Sequence, residues 1–139
     1  MDDCIFCKIV KGDIPSFKVY EDDEFLGILD IAQFTEGHTI LIPKKHFRFV
    51  WDIDNIGGYF KAAQKIAKHF KSLGYDYVDS YIWGRMVPHA HLHLVPHNGA
   101  VGEYRNATNG FGKLQLDESR RPTKEKGEEL VKKFKYTET

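Results

Sequence analysis

Apolar and polar positions change their spacing several times along the chain, and each change marks an element. Phe17-Lys18-Val19-Tyr20 and Phe25-Leu26-Gly27-Ile28-Leu29 flank the acidic stretch Glu21-Asp22-Asp23-Glu24, the pattern of a hairpin. His38-Thr39-Ile40-Leu41-Ile42, entered after Gly37 and ended by Pro43, predicts a third strand. From Ile56 to Leu73 the period lengthens. Ile56, Phe60, Ala63, Ala67 and Phe70 recur three or four residues apart, which predicts an amphipathic helix closed by Gly74. Tyr77 to Trp83 and His89 to Val95 predict two more strands around Gly84, and the polar, glycine-bearing stretch from His97 to Gly112 predicts a loop. Cys4 to Val10 predicts a short helix or turn stopped by Gly12, with Pro15 beyond it. Leu130, Val131 and Phe134 mark a short C-terminal helix with one apolar edge. Five strands, one long helix and connections compatible with hairpins predict an α+β domain with a mostly antiparallel sheet.

Composition narrows the class. The 139 residues suit one domain spanning 1–139, and 42% apolar with 29% charged residues is the balance of a globular protein rather than a disordered one. Twenty basic side chains offset twenty acidic ones, which argues against general nucleic-acid binding, because such binders carry a basic surplus. No apolar run approaches the roughly 20 residues that span a bilayer. Met1-Asp2-Asp3-Cys4 lacks the basic start of a signal peptide, and two cysteines cannot make a secreted disulfide framework. A cytoplasmic protein with no membrane partner is expected. The charge is unevenly placed: residues 1–30 carry a balance of −5 and residues 120–135 one of +4, read here as two solvated faces.

The chemistry concentrates in Pro88-His89-Ala90-His91-Leu92-His93-Leu94-Val95-Pro96. On an extended chain alternate side chains share a face, so His89, His91 and His93 line one side, with Ala90, Leu92 and Leu94 on the other. Histidines two apart on a strand have Cα atoms about 7 Å apart, close enough to converge on one ligand group. Three imidazoles in register fit a metal site, or nucleophilic catalysis in which one neutral ring attacks phosphorus and its neighbours stabilise the transferring group. Spacing alone does not separate the two. Cys4-x-x-Cys7 likewise has a redox and a zinc reading, although only three residues precede Cys4 where a thioredoxin-like motif wants a strand.

The run His89-Ala90-His91-Leu92-His93-Leu94-Val95 resembles the signature of the histidine triad (HIT) family, three histidines alternating with apolar residues. Cys4-Ile5-Phe6-Cys7-Lys8-Ile9-Val10, Asp13-Ile14-Pro15, Leu29-Asp30-Ile31 and Gly37-His38-Thr39-Ile40-Leu41-Ile42-Pro43-Lys44-Lys45-His46 resemble its opening and middle. Residues 4–96 thus carry the pattern, and residues 97–139, read as loop and tail, carry little of it.

The resemblance implies a HIT-like fold and hydrolysis at the α-phosphorus of a nucleoside phosphoramidate or dinucleoside polyphosphate, with a purine nucleotide or nucleotide conjugate as partner. His91 would attack and form a nucleotidyl-histidine, and His93 and His38 would contact phosphate oxygens. Asp30 would hold the ribose hydroxyls, because a carboxylate accepts two hydrogen bonds from a diol. Phe6, Ile9, Ile28 and Ile31 would form an apolar slot for the base. Cys4, Cys7, His46 and His89 would hold a structural zinc ion, and two subunits would pair as a homodimer. The chain departs from the family at Gly84-Arg85-Met86-Val87, where many active members have Gly-Gln-Ser/Thr-Val. Arg85 would put a charge on a phosphate oxygen where the family has hydrogen bonds, favouring dinucleoside polyphosphates over phosphoramidates. Two rivals remain: a nucleotide sensor or adaptor with little turnover, and a metal-dependent hydrolase that uses His89, His91 and His93 together as ligands.

Overall fold

The computed structural model describes residues 3–99 and 102–138; Met1 and Asp2, where the signal-peptide reading begins, and Ala100 and Val101 of the predicted loop lie outside them. The chain divides into two compact units, Met1–Tyr104 and Arg105–Thr139.

The first unit is built on a sheet of five antiparallel strands in the order β1-β2-β3-β5-β4. These are β1 (Lys18–Glu21), β2 (Phe25–Leu29), β3 (Thr39–Pro43), β4 (Tyr77–Tyr81) and β5 (Leu92–His97). The acidic stretch makes the β1–β2 turn as predicted, because Asp22 Oδ1 accepts the backbone N–H groups of Glu24 and Phe25 at 2.8 and 2.7 Å. Period-two alternation then sorts side chains to two faces. Phe25, Leu41, Leu92 and Leu94 pack with Tyr59, Ala62, Ala63, Ile66 and Phe70 of helix α2 (Ile56–Ser72). Leu26, Ile28, Ile40 and Ile42 pack on the opposite side with Cys4, Phe6 and Ile9 from helix α1 (Ile5–Lys11) and its N-cap. Gly12, at φ +86°, closes α1 in the left-handed region that favours glycine.

Three expectations need correction. The buried stripe of α2 is centred on Tyr59 rather than Phe60, which is 42% exposed. Tyr59 can be wholly buried because its hydroxyl donates to the Leu41 carbonyl at 2.6 Å, so no polar group is stranded. The final strand begins at Leu92 and not at His89. Ahead of it the chain bonds elsewhere, with His89 N–H donating to Val87 O at 2.9 Å and Ala90 N–H to Phe47 O at 2.7 Å. Thirdly, the predicted loop from His97 to Gly112 holds the start of helix α3 (Gly102–Leu116), in which no residue is buried.

The second unit carries most of α3 and then α4 (Lys124–Phe134), the expected C-terminal helix, whose Thr123 cap accepts Lys126 N–H at 3.1 Å. Among the described residues no helix is long and apolar enough to cross a membrane.

Candidate active site

The alternation read from the sequence places the histidines on the α1 face, but they do not converge on one point. His89 is turned away from the other two. Its Nε2–H donates to the Pro43 carbonyl at 2.8 Å, which leaves the Nδ1 lone pair facing Cys4 Sγ at 3.3 Å and Cys7 Sγ at 3.5 Å. His46 Nδ1 lies 3.3 Å from Cys7 Sγ, and the four donor atoms of Cys4, Cys7, His46 and His89 all fall within 4.8 Å of one another. Helix α1 produces this gathering, since Cys4 caps it and accepts Cys7 N–H at 3.3 Å, so both thiols lie on its first turn. Burial pushes the Cys7 thiol up from its usual pKa, and the neighbouring Cys4 adds to the effect. Two thiolates this close need a cation. The set of two thiols and two imidazoles can hold a metal, and its closed four-donor composition suits tetrahedral zinc.

His91 and His93 lie outside that four-residue group. The His91 Nδ1–H donates to the His89 carbonyl at 2.8 Å, because a carbonyl oxygen can only accept; Nε2 keeps its lone pair. The Phe6 ring stands nearly perpendicular to both rings, with centroids 5.7 Å from His89 and 5.3 Å from His91. His93 Nδ1 lies 2.9 Å from His38 Nε2, and Asp30 Oδ2 stands 3.6 Å from both nitrogens. Burial pulls the His93 pKa down to about 4, the rings of His91 and His38 lower it further, and Asp30 opposes them. Burial also lowers His38, again against Asp30. Both rings are therefore neutral near pH 7.

His38 lies deeper than its neighbours in the sequence. It is 1% exposed, and its Nδ1 sits 3.2 Å from Phe34 N and 3.1 Å from Ala32 O. One backbone group donates and the other accepts, so either tautomer is satisfied. Both His38 ring nitrogens therefore have partners within the protein, Nε2 facing His93.

The expected base slot also divides. Phe6, Ile9 and Ile28 are buried in the α1-side cluster, whereas Ile31 is 96% exposed. A tight bend turns Ile31 outward, held by Ala32 N–H donating to Asp30 Oδ1 at 2.8 Å and by the Gln33 side-chain amide, which donates to the Asp30 carbonyl and, at 2.7 Å, to that of His38. Arg85 is exposed, its guanidinium 5.3 Å from the centre of the Trp83 indole.

Sequence reasoning missed Tyr81, whose ring stacks on His93 with centroids 4.2 Å apart and planes 11° from parallel. Tyr81 is the register partner of His93 across β4 and β5. The alternation Tyr77-x-Asp79-x-Tyr81 was the available signal, but the pairing that aims it at His93 is long-range. Arg48 was missed too. Its guanidinium donates to the Gly84 carbonyl at 2.9 Å and lies 4.2 Å from the centre of the Phe49 ring.

Comparison with known proteins agrees with this architecture. The HIT domain model matches residues 11–100. Protein hit of Bacillus subtilis is 43% identical over 106 residues, covering 70% of this chain and 73% of that protein. Adenosine 5'-monophosphoramidase HNT1 of Saccharomyces cerevisiae is 38% identical over 97 residues, covering 67% of this chain and 61% of that protein. A solved structure of a Zn-bound histidine triad family protein from Mycobacterium smegmatis superposes with a TM-score of 0.66 at 35% identity, covering 86% of this chain and 99% of that one. The chain belongs to the HIT family.

Proposed function

We propose that this chain is a nucleotide hydrolase that cleaves a nucleoside phosphoramidate or dinucleoside polyphosphate at the α-phosphorus through His91. The observation that carries the reading is the 2.8 Å bond from His91 Nδ1 to the His89 carbonyl, which fixes the tautomer and frees Nε2 for attack. In the first step the Nε2–P bond forms as the bond from phosphorus to the leaving group breaks, and the leaving group departs with the electron pair. In the second step water attacks phosphorus, the pair returns to Nε2, and the nucleoside monophosphate is released while the water gives up a proton.

His93 supports the transferring group in one of its two tautomers. When Phe34 N–H donates to His38 Nδ1, His38 Nε2–H donates to His93 Nδ1, and His93 Nε2–H is presented to a phosphate oxygen. A bound anion selects that arrangement. Asp30, next to the histidine pair, takes the ribose hydroxyls, and the adenosine 5'-monophosphoramidase activity named for the Saccharomyces cerevisiae relative supports this substrate class.

Zinc at Cys4, Cys7, His46 and His89 has a structural role in this reading: a closed set leaves no position for substrate, and the ion would tie α1 to the segment that carries His89. The zinc-bound Mycobacterium smegmatis relative supports zinc as the metal. The metal-dependent rival is disfavoured because His89 belongs to the cysteine group while His91 and His93 do not. Asp30, His38 and His93 also bring their donors within 4.8 Å, but the His38–His93 contact is at hydrogen-bonding distance. A homodimer joined along the open edge strand β4 completes the reading, and light scattering checks it.

The test is turnover of adenosine 5'-phosphoramidate and diadenosine tetraphosphate by the parent and by His91→Asn, with AMP affinity measured alongside. The reading expects turnover to vanish in the variant while AMP affinity stays within about tenfold, or roughly 1.4 kcal/mol. Tight AMP binding without turnover in the parent would instead establish the sensor or adaptor rival.

A further inference from the structure

Beside His91 lies a cavity of about 70 Å³ that Arg48, Phe49, Trp51, Trp83, Gly84 and His91 help to line. Its chemistry is unlike that of the base slot. One guanidinium stands at it, that of Arg48 over the Phe49 ring at 4.2 Å; the exposed Arg85 does not line the cavity and lies 5.3 Å from the centre of the Trp83 ring. Neither arginine has an ion-pair partner among the described residues. Arg48 is half-buried and gives one N–H to the Gly84 carbonyl, with no other hydrogen-bond partner among the described residues. A partly desolvated, planar guanidinium with spare donors is suited to bidentate contact with two oxygens of an anion such as a phosphate. The rings around it are unusually open for their size, with Trp51 75% and Trp83 50% exposed.

We infer that this cavity is the leaving-group subsite, and that it takes the departing half of a dinucleoside polyphosphate, a nucleotide anion bearing an aromatic base. The inference rests on the proposed attack by His91 and narrows its substrate class. The cavity has room for a phosphoryl group, which Arg48 would meet, and the open faces of Trp51 and Trp83 offer stacking surfaces to the base outside it. Charge sets the preference. When the bond from the α-phosphorus to the bridging oxygen breaks, the electron pair and negative charge stay on that oxygen, and the Arg48 guanidinium stabilises them. A phosphoramidate releases an amine, which must take up a proton and gains nothing from positive neighbours. A free cationic amine is repelled.

Binding and turnover separate this inference from the reading beneath it. In the His91→Asn protein, calorimetry with AMP and with diadenosine tetraphosphate should show the tetraphosphate bound at least about tenfold more tightly, and Arg48→Met or Trp83→Ala should each erase most of that advantage. In the parent with His91 intact, Arg48→Met should lower the ratio of kcat/KM for the tetraphosphate to that for the phosphoramidate by about tenfold or more, with Arg48→Lys restoring part of it. Equal affinities for the two ligands, or an advantage that survives both substitutions, would overturn the subsite. An equal fall in both kcat/KM values would reduce Arg48 to a brace for the Gly84 loop and overturn it as well. The exposed Trp83 keeps the test available if Arg48→Met does not fold. Failure to bind AMP at all would sink the proposed function itself, a result distinct from each of these.

Discussion

His93 makes a prediction in which the site and the stability of the fold are read by one experiment. Burial holds its pKa at about 4 against 6.5 for an ordinary histidine. The unfolded chain therefore binds more protons than the folded one between those values. The stabilising difference is fully present above pH 6.5 and is lost as pH falls toward 4. Over the whole interval a single such group amounts to at most about 3 kcal/mol, and about 2 kcal/mol of it disappears between pH 7 and pH 5. His38, also lowered mainly by burial, adds in the same direction. Urea unfolding of the parent and of His93→Asn at both pH values, with equal zinc in all samples, isolates the term. The parent should lose about 2 kcal/mol more than the variant over that range. Parallel losses would mean that His93 titrates normally in the folded protein, and a neutral donor at that position would have to be abandoned.

Further outcomes follow from the same geometry. Cys4→Ser with Cys7→Ser should remove one zinc per chain and lower Tm, read by metal analysis and thermal unfolding; retention of the ion would place it elsewhere. Tyr59→Phe should cost about 1 kcal/mol, because the buried Leu41 carbonyl loses its side-chain donor, whereas Phe60→Ala on the exposed side should cost less. Gly27→Ala should destabilise by about 1–3 kcal/mol, since its new Cβ would stand 3.1 Å from Tyr20 Cβ and 3.2 Å from Ile66 Cδ1 in a closed core.

What the sequence made legible was whatever local period dictates. Alternation alone put His89, His91 and His93 on one face and Ala90, Leu92 and Leu94 on the other, and the structure keeps that division even where the strand has not yet begun. The α2 stripe was misjudged by one residue because a tyrosine looks like a surface residue until the carbonyl that accepts its proton is known. Helix α3 was hidden by Asn106, Asn109, Gly110 and Gly112, poor helix formers that outweighed the spacing of Tyr104, Ala107, Phe111 and Leu114. Depth was not legible either. His38 and Ile31 both lie near Asp30 in sequence, yet one is sealed with both ring nitrogens bonded and the other stands in solvent. Tyr81 and Arg48 depend on register and on a contact to Gly84 across 36 positions, which no local pattern encodes.

The central claim is that His91 Nε2 becomes covalently bonded to phosphorus, and the adduct itself is the most direct measurement. Protein mixed with excess adenosine 5'-phosphoramidate or diadenosine tetraphosphate, quenched within one turnover under alkaline conditions that preserve an N–P bond and digested, should yield a peptide carrying one adenylyl group on His91. The His91→Asn protein should yield none, and a zinc-loaded and a chelator-treated sample that remain folded should give the same adduct. Turnover without any adduct, or an adenylyl group on His89, His93 or a lysine, would contradict the account.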